Sequence, residues 1–161
     1  MMAGRILGLG VDMVGVERIE RAVARHGSDF LREFLLPSEF DACSRSPRPL
    51  LASATIFAAK EALLKALGTG RSGRIGWKDV EVSCPGGRPL QVRLRGEAGL
   101  LARARGVRRI LCDVSWRRPR ARSVLALGWV VLEGEPAGPA GIAPAGGEEQ
   151  TQRNAREEDV R

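Results

Sequence analysis

The stretch FAAKEALLKALGTG, residues 57–70, decides how the rest of this chain is read. Wound at about 100° per residue, the segment 50–67 places Leu50, Ala54, Phe57, Ala58 and Leu64 on one side with Glu61 and Lys65. The other faces carry Leu51, Ala52, Ile56, Ala59, Ala62, Leu63, Ala66 and Leu67. A helix that is apolar all round is a buried helix, and Gly68 is the residue that ends it. Glu61 is therefore expected among core side chains, where a carboxylate is costly unless a base, a hydrogen-bond shell or a metal compensates it. The plainest compensation is an ion pair between Glu61 and Lys65 at i,i+4.

Three features point beyond that pair. Lys60, Lys65 and Lys78 are the only lysines among 26 bases, and two of them lie within KEALLK, as if a compact ammonium were wanted there. The strand-like segment ILGLGVDMV (6–14) separates into Leu7, Leu9, Val11 and Met13 on one face and Gly8, Gly10 and Asp12 on the other. The glycine face leaves room for a backbone or a ligand to come close, and Asp12 offers it a second carboxylate. Two acids placed for burial suit a hard cation such as Mg²⁺, which takes one or two carboxylates together with waters and substrate phosphates. Finally, the helix runs into GTGRSGRIG (68–76), where Gly68 and Gly70 free the backbone and Arg71 and Arg74 suit phosphate oxygens. Gly68-x-Gly70-x-x-Gly73 matches the dinucleotide fingerprint letter for letter, but it follows a helix C-terminus instead of opening a helix, so that reading is rejected.

Outward from these segments the chain reads as one domain. A short amphipathic helix at 16–25 turns Val16, Ile19 and Val23 inward and sets Arg18, Arg21 and Arg25 in a basic stripe outward. Short helices follow at 28–35 and 38–44, the second with Ser38 as its N-cap. SPRP (46–49) is a turn. After the long helix come strands at 76–84 and 90–95 around the turn PGGRP, a helix at 97–105, and strands at 108–115 and 123–132. The order predicts an α+β fold, a mainly antiparallel sheet with helices packed on one face. Residues 1–132 form the domain; 133–161, rich in Gly, Pro, Ala and Glu, are expected to be a disordered tail.

The 161 residues carry +7, unevenly spread: up to residue 132 there are 23 bases against 12 acids, a body charge of +11. Such a body attracts phosphates or an acidic macromolecule. Nucleic acid is the usual partner of such a body, but aromatics make up 4% and Tyr is absent, leaving few stacking platforms, and an acidic protein or a phosphorylated small molecule fits as well. Cys43, Cys84 and Cys112 are scattered and His26 is the single histidine, so zinc centres and histidine triads have little to be built from, and buried thiols are expected. No apolar run approaches the roughly 20 residues of a membrane span, and the acid at Asp12 interrupts the N-terminal apolar stretch. A soluble, cytoplasmic protein is expected, with no membrane contact.

GLGVDMVGVERI (8–19), FAAKEALLKALGTG and GWKDVEV (76–82) together resemble motifs of the holo-acyl-carrier-protein synthases, small bacterial 4′-phosphopantetheinyl transferases. The resemblance covers about residues 4–132. It implies transfer of phosphopantetheine from coenzyme A to a serine of an acidic apo acyl carrier protein, releasing 3′,5′-ADP and serving fatty acid or polyketide synthesis. Asp12 and Glu61 match the family's Mg²⁺ ligands, and Lys65 matches the lysine on the transferred phosphate; Gly68, Gly70 and Arg71 would hold the donor. Arg18 matches a carrier-protein contact. The serine proton would pass to Glu61 or to a metal-bound water. The resemblance also implies a homotrimer with the site between subunits. The chain departs from the pattern at Ile56, where the family commonly has Arg, and at Trp116, where it has His, followed by an inserted RRPRAR (117–122). Those departures keep open a relative that binds carrier protein or coenzyme A with little turnover; the basic body alone would suit a nucleic-acid-binding module.

Overall fold

The computed structural model describes residues 5–69, 75–84, 90–120 and 123–135. Strand β1 (Arg5–Gly15) leads into helices α1 (Val16–His26), α2 (Asp29–Phe34), α3 (Pro37–Ser44) and α4 (Pro49–Ala66). A 3₁₀ turn at Trp77–Asp79 precedes β2 (Val80–Ser83), β3 (Gln91–Leu94), α5 (Gly96–Ala104), β4 (Val107–Arg120) and β5 (Ser123–Gly134). The expected α+β class holds, and all strand pairs are antiparallel. The strands form two sheets: a three-stranded one in the order β1-β5-β4 and a separate β2-β3 pair.

The glycine face of β1 explains how α4 lies on the larger sheet. Gly8 and Gly10 face the carbonyls of Ala66 and Ala62, and Gly128 on β5 faces Ala58. Ala58, Ala62 and Ala66 recur at four-residue spacing, so one small-residue stripe of α4 meets one lane of glycines. A methyl group added at Gly128 would stand 2.6 Å from the Ala58 carbonyl carbon. Gly128→Ala is accordingly expected to cost about 1–3 kcal/mol by overpacking, read as a lower midpoint in urea unfolding.

Two hydrophobic clusters meet along α4. Its first half packs with Val16, Ile19, Leu31, Phe34 and Leu35 from α1 to the end of α2. Its second half packs with Val80, Val82, Ala98, Val130 and Leu132. Ile56 and Trp77 touch both. On α1, Val16 and Ile19 are buried and Arg18, Arg21 and Arg25 lie toward solvent, as the wheel predicts.

Several local expectations change. Helix α3 begins one residue early, with Leu36 at the N-cap and Pro37 fixing the first turn, so Ser38 lies inside the helix. Residues 77–79 coil before β2 begins. The arginine-rich segment after Trp116 extends a strand: β4 continues to Arg120, with Arg117 opposite Leu125 and Arg120 opposite Ser123. Strand β5 continues through Glu133 and Gly134, and the Glu135 amide donates to the Gly106 carbonyl at 3.1 Å, so the tail boundary lies beyond 132. The remainder of the tail falls outside the described residues. Cys43 is buried and Cys112 partly so, whereas Cys84 is exposed. Burial pushes the Cys112 thiol up to about 11, with Asp113 adding to it.

Candidate active site

Asp12 points from the same face of β1 as Gly8 and Gly10, and it pairs in register with Gly128. Glu61 is one residue before Ala62, the α4 position that seats against Gly10. The two carboxylates therefore open on one cleft of about 470 Å³, which Arg18, Glu33 and Trp77 also line. Its apolar wall is aromatic. Phe34 and Phe57 meet edge-on with centroids 5.0 Å apart, and Trp77 leans on Phe57 at 5.5 Å.

The expected Glu61–Lys65 pair is not what forms. Lys65 reaches across to β1, where its Nζ donates to Asp12 Oδ1 at 2.7 Å and to the Val11 carbonyl at 3.1 Å. Asp12 is 17% exposed and Lys65 51%. Glu61 is half-buried at the cleft instead of lying in the core, and its Oε1 accepts the Trp77 indole N–H at 2.5 Å. The physical reason is geometric. At i+4 Lys65 overlies the strand edge one turn beyond Glu61, close to an acid on the neighbouring element.

The fully buried charge of α4 is its neighbour, Lys60. Its Nζ is 2.6 Å from Glu39 Oε2, 2.7 Å from the Phe34 carbonyl and 3.1 Å from the Trp77 carbonyl. Glu39 completes its own shell with the amides of Leu36 and Val82, each at 2.7 Å. Burial lowers the Lys60 pKa, and the bond to Glu39 opposes that shift. The two lysines of KEALLK thus divide the work: Lys60 ties α2, α3 and the 3₁₀ turn to α4, and Lys65 ties α4 to Asp12 on β1.

Gly68 lies past the end of α4 at φ 64°, a left-handed conformation that favours glycine, beside the Arg105 guanidinium. Gly70 and Arg71 fall outside the described residues, as do most of GTGRSGRIG and the PGGRP turn. Ile56 lies away from the acidic cleft. It lines a larger cavity of about 780 Å³ between α3, α4 and β2, with Thr55, Glu81 and Asp113. Trp116 is exposed on β4 with the Arg48 guanidinium 5.2 Å from its ring centroid.

Among the described residues no three of His, Cys, Asp and Glu are grouped to hold a metal ion. Asp12 and Glu61 are a two-carboxylate, oxygen-only donor set, which fits a hard cation whose other positions are filled by water and substrate oxygens. Sequence reasoning missed Trp77 and Glu33 at this cleft. GWKDVEV shows Trp77 only as part of a strand, and nothing local reveals that the 3₁₀ turn swings its indole back over α4.

A family model described as the 4′-phosphopantetheinyl transferase superfamily matches residues 8–114. The chain belongs to that superfamily. It is 42% identical over 111 residues to a holo-[acyl-carrier-protein] synthase of Koribacter versatilis, covering 68% of this chain and 88% of that one. Among solved structures it is similar to the holo-[acyl-carrier-protein] synthase of Neisseria meningitidis, with TM-score 0.70, 28% identity and coverage of 80% and 99% of the two chains. The Helicobacter pylori synthase in complex with coenzyme A matches with TM-score 0.64 and 27% identity, over 77% of this chain and 98% of that one. The transferase motifs thus sit on the transferase fold, with Asp12 and Glu61 lining one cleft and Lys65 paired to Asp12.

Proposed function

We propose that the protein is a magnesium-dependent holo-[acyl-carrier-protein] synthase, moving 4′-phosphopantetheine from coenzyme A to a serine of an apo acyl carrier protein. The observation that carries the reading is the cleft itself: Asp12 and Glu61 open on it together, with the Lys65 ammonium 2.7 Å from Asp12. Asp12 and Glu61 would hold Mg²⁺. When bound, the ion supplies positive charge to the coenzyme A pyrophosphate as the leaving 3′,5′-ADP gains negative charge. Lys65, half exposed beside Asp12, offers its ammonium to the transferred phosphate. Gly68, Gly70 and Arg71 follow directly on α4 and would hold the donor's phosphates. The serine proton passes to Glu61 or to water held at the site. The aromatic wall of Phe34, Phe57 and Trp77 makes one side of the cleft apolar, which strengthens the charge interactions beside it.

Arg18 lines the cleft and continues into the outward arginines of α1, so an acidic carrier docking along α1 would deliver its serine to the carboxylates. The reading places the protein in the cytoplasm, supplying fatty acid or polyketide synthesis. Among the described residues no helix is long and apolar enough to cross a membrane. Incubation with apo carrier protein, coenzyme A and Mg²⁺ tests the activity: the carrier should gain the phosphopantetheine mass, and an unchanged mass would refute it.

The reading extends to a homotrimer. The face of the large sheet opposite α4 is apolar and open: Leu9 is 66%, Val11 49% and Met13 60% exposed, with Trp129 at 37% beside them. An apolar face of this kind is covered in a working assembly. Sedimentation should give three times the 17.4 kDa chain mass, and Val11→Lys should shift it to the monomer. A wild-type monomer would remove the trimer.

A second reading has one observation in its favour. Ile56 replaces the family's arginine in a cavity that also carries Glu81 and Asp113, a poor setting for phosphate. A chain that binds carrier protein but holds coenzyme A weakly would show a high KM for coenzyme A with carrier affinity retained.

A further inference from the structure

Trp77 is held from two sides by consecutive residues of α4. Lys60 Nζ donates to its carbonyl at 3.1 Å inside the core, and Glu61 Oε1 accepts its indole N–H at 2.5 Å at the cleft. The ring is wedged between Phe57 and Phe34, with centroids 5.5 Å and 6.2 Å away. Its turn is closed by Asp79, whose Oδ2 accepts the Gly76 amide at 2.9 Å and whose carbonyl accepts the Arg95 amide at 2.8 Å. An indole fixed in this way has little freedom left, and it presents its one N–H to the Glu61 carboxylate at the cleft.

We propose that Trp77 is a positioning residue for phosphopantetheine transfer: its N–H holds one oxygen of Glu61 and so sets the orientation in which that carboxylate meets Mg²⁺. The proposal rests on the magnesium reading above and adds to it the group that orients the ligand. Hydrogen bonds of this kind tune metal affinity by roughly 10- to 100-fold in other proteins. Glu61 has three side-chain torsions, and its unrestrained carboxylate would sample several orientations around the cleft. The aromatic packing could be met by phenylalanine; the N–H could not.

The test compares Trp77→Phe with the unaltered protein. Calorimetric titration of MgCl₂ into protein with coenzyme A and no carrier should show Mg²⁺ affinity reduced about tenfold. In the transfer assay kcat should fall about tenfold at fixed Mg²⁺, with KM for the carrier protein changed less than about twofold. Unchanged Mg²⁺ affinity and kcat in a folded Trp77→Phe protein would overturn the proposal. If Trp77→Phe fails to fold, the indole N–H resonances of Trp77, Trp116 and Trp129 in the ¹⁵N-labelled protein decide. Glu61→Gln should move the Trp77 signal and leave the other two, and an unmoved Trp77 signal overturns the proposal. The failures separate cleanly. An active Glu61→Gln protein removes the magnesium reading and this proposal with it, whereas an inactive Glu61→Gln beside an unimpaired Trp77→Phe removes the positioning role alone.

Discussion

Glu61→Gln is expected to lower the transfer rate by about 10²–10³-fold while leaving the thermal midpoint within a few degrees. Glutamine has the same shape, and its side-chain oxygen can still accept the Trp77 indole N–H. What it loses is the negative charge, so any cation shared with Asp12 is left with one formal anion from the protein. The substitution is cleaner than one at Asp12. There, removal of charge would also release Lys65 from its 2.7 Å pair and move the ammonium proposed to contact phosphate. Mass analysis of the carrier over time checks the rate, and circular dichroism checks the fold. A rate close to that of the unaltered protein would show that the carboxylate at 61 holds no catalytic ion.

Lys60→Met is expected to act oppositely, on stability before chemistry. It would strip the buried Glu39 of its cation and leave the Phe34 and Trp77 carbonyls without their donor. Removing one partner of a buried ion pair costs about 3–5 kcal/mol. In a domain of this size that lowers the melting temperature by on the order of 10 °C. The double change Glu39→Gln with Lys60→Met should recover part of the loss, because it removes the uncompensated charge while the glutamine side chain keeps an oxygen for a backbone amide. Thermal melts of the two variants measure the difference. Equal melting temperatures for the single variant and the unaltered protein would show that the pair carries no net stability.

Periodicity made most of the fold legible. The two faces of β1, the inward stripe of α1 and the length of α4 up to Gly68 follow from residue spacing alone, because each depends on local geometry. Asp12, Glu61 and Lys65 were singled out as candidates by the glycine face of β1, the apolar wheel of α4 and the motif resemblance. The partners they choose were not. Lys65 could reach Glu61 within its own helix or Asp12 on another element, and only packing between α4 and β1 decides that. Lys60 and Glu39 lie 21 positions apart with nothing in either local pattern to join them. Trp77 looks like the start of a strand until the 3₁₀ turn redirects it. The continuation of β4 to Arg120 was obscured for a different reason. Arginine and proline read as loop, yet the segment pairs with the start of β5 at the edge of the sheet, where charge is tolerated.

The lane of glycines beneath α4 bears on how the enzyme can vary over time. Where main chain rests on main chain, the offset between the residue-12 and residue-61 backbones is set by atomic radii and not by rotamers. Leucines on the other sides of the helix, such as Leu63 and Leu67, can be exchanged for similar apolar residues without sliding Glu61 along the strand. One methyl in the lane would do what many such exchanges would not, prising helix from sheet and drawing the two acids out of step. Drift in the interior is thereby uncoupled from drift in the chemistry.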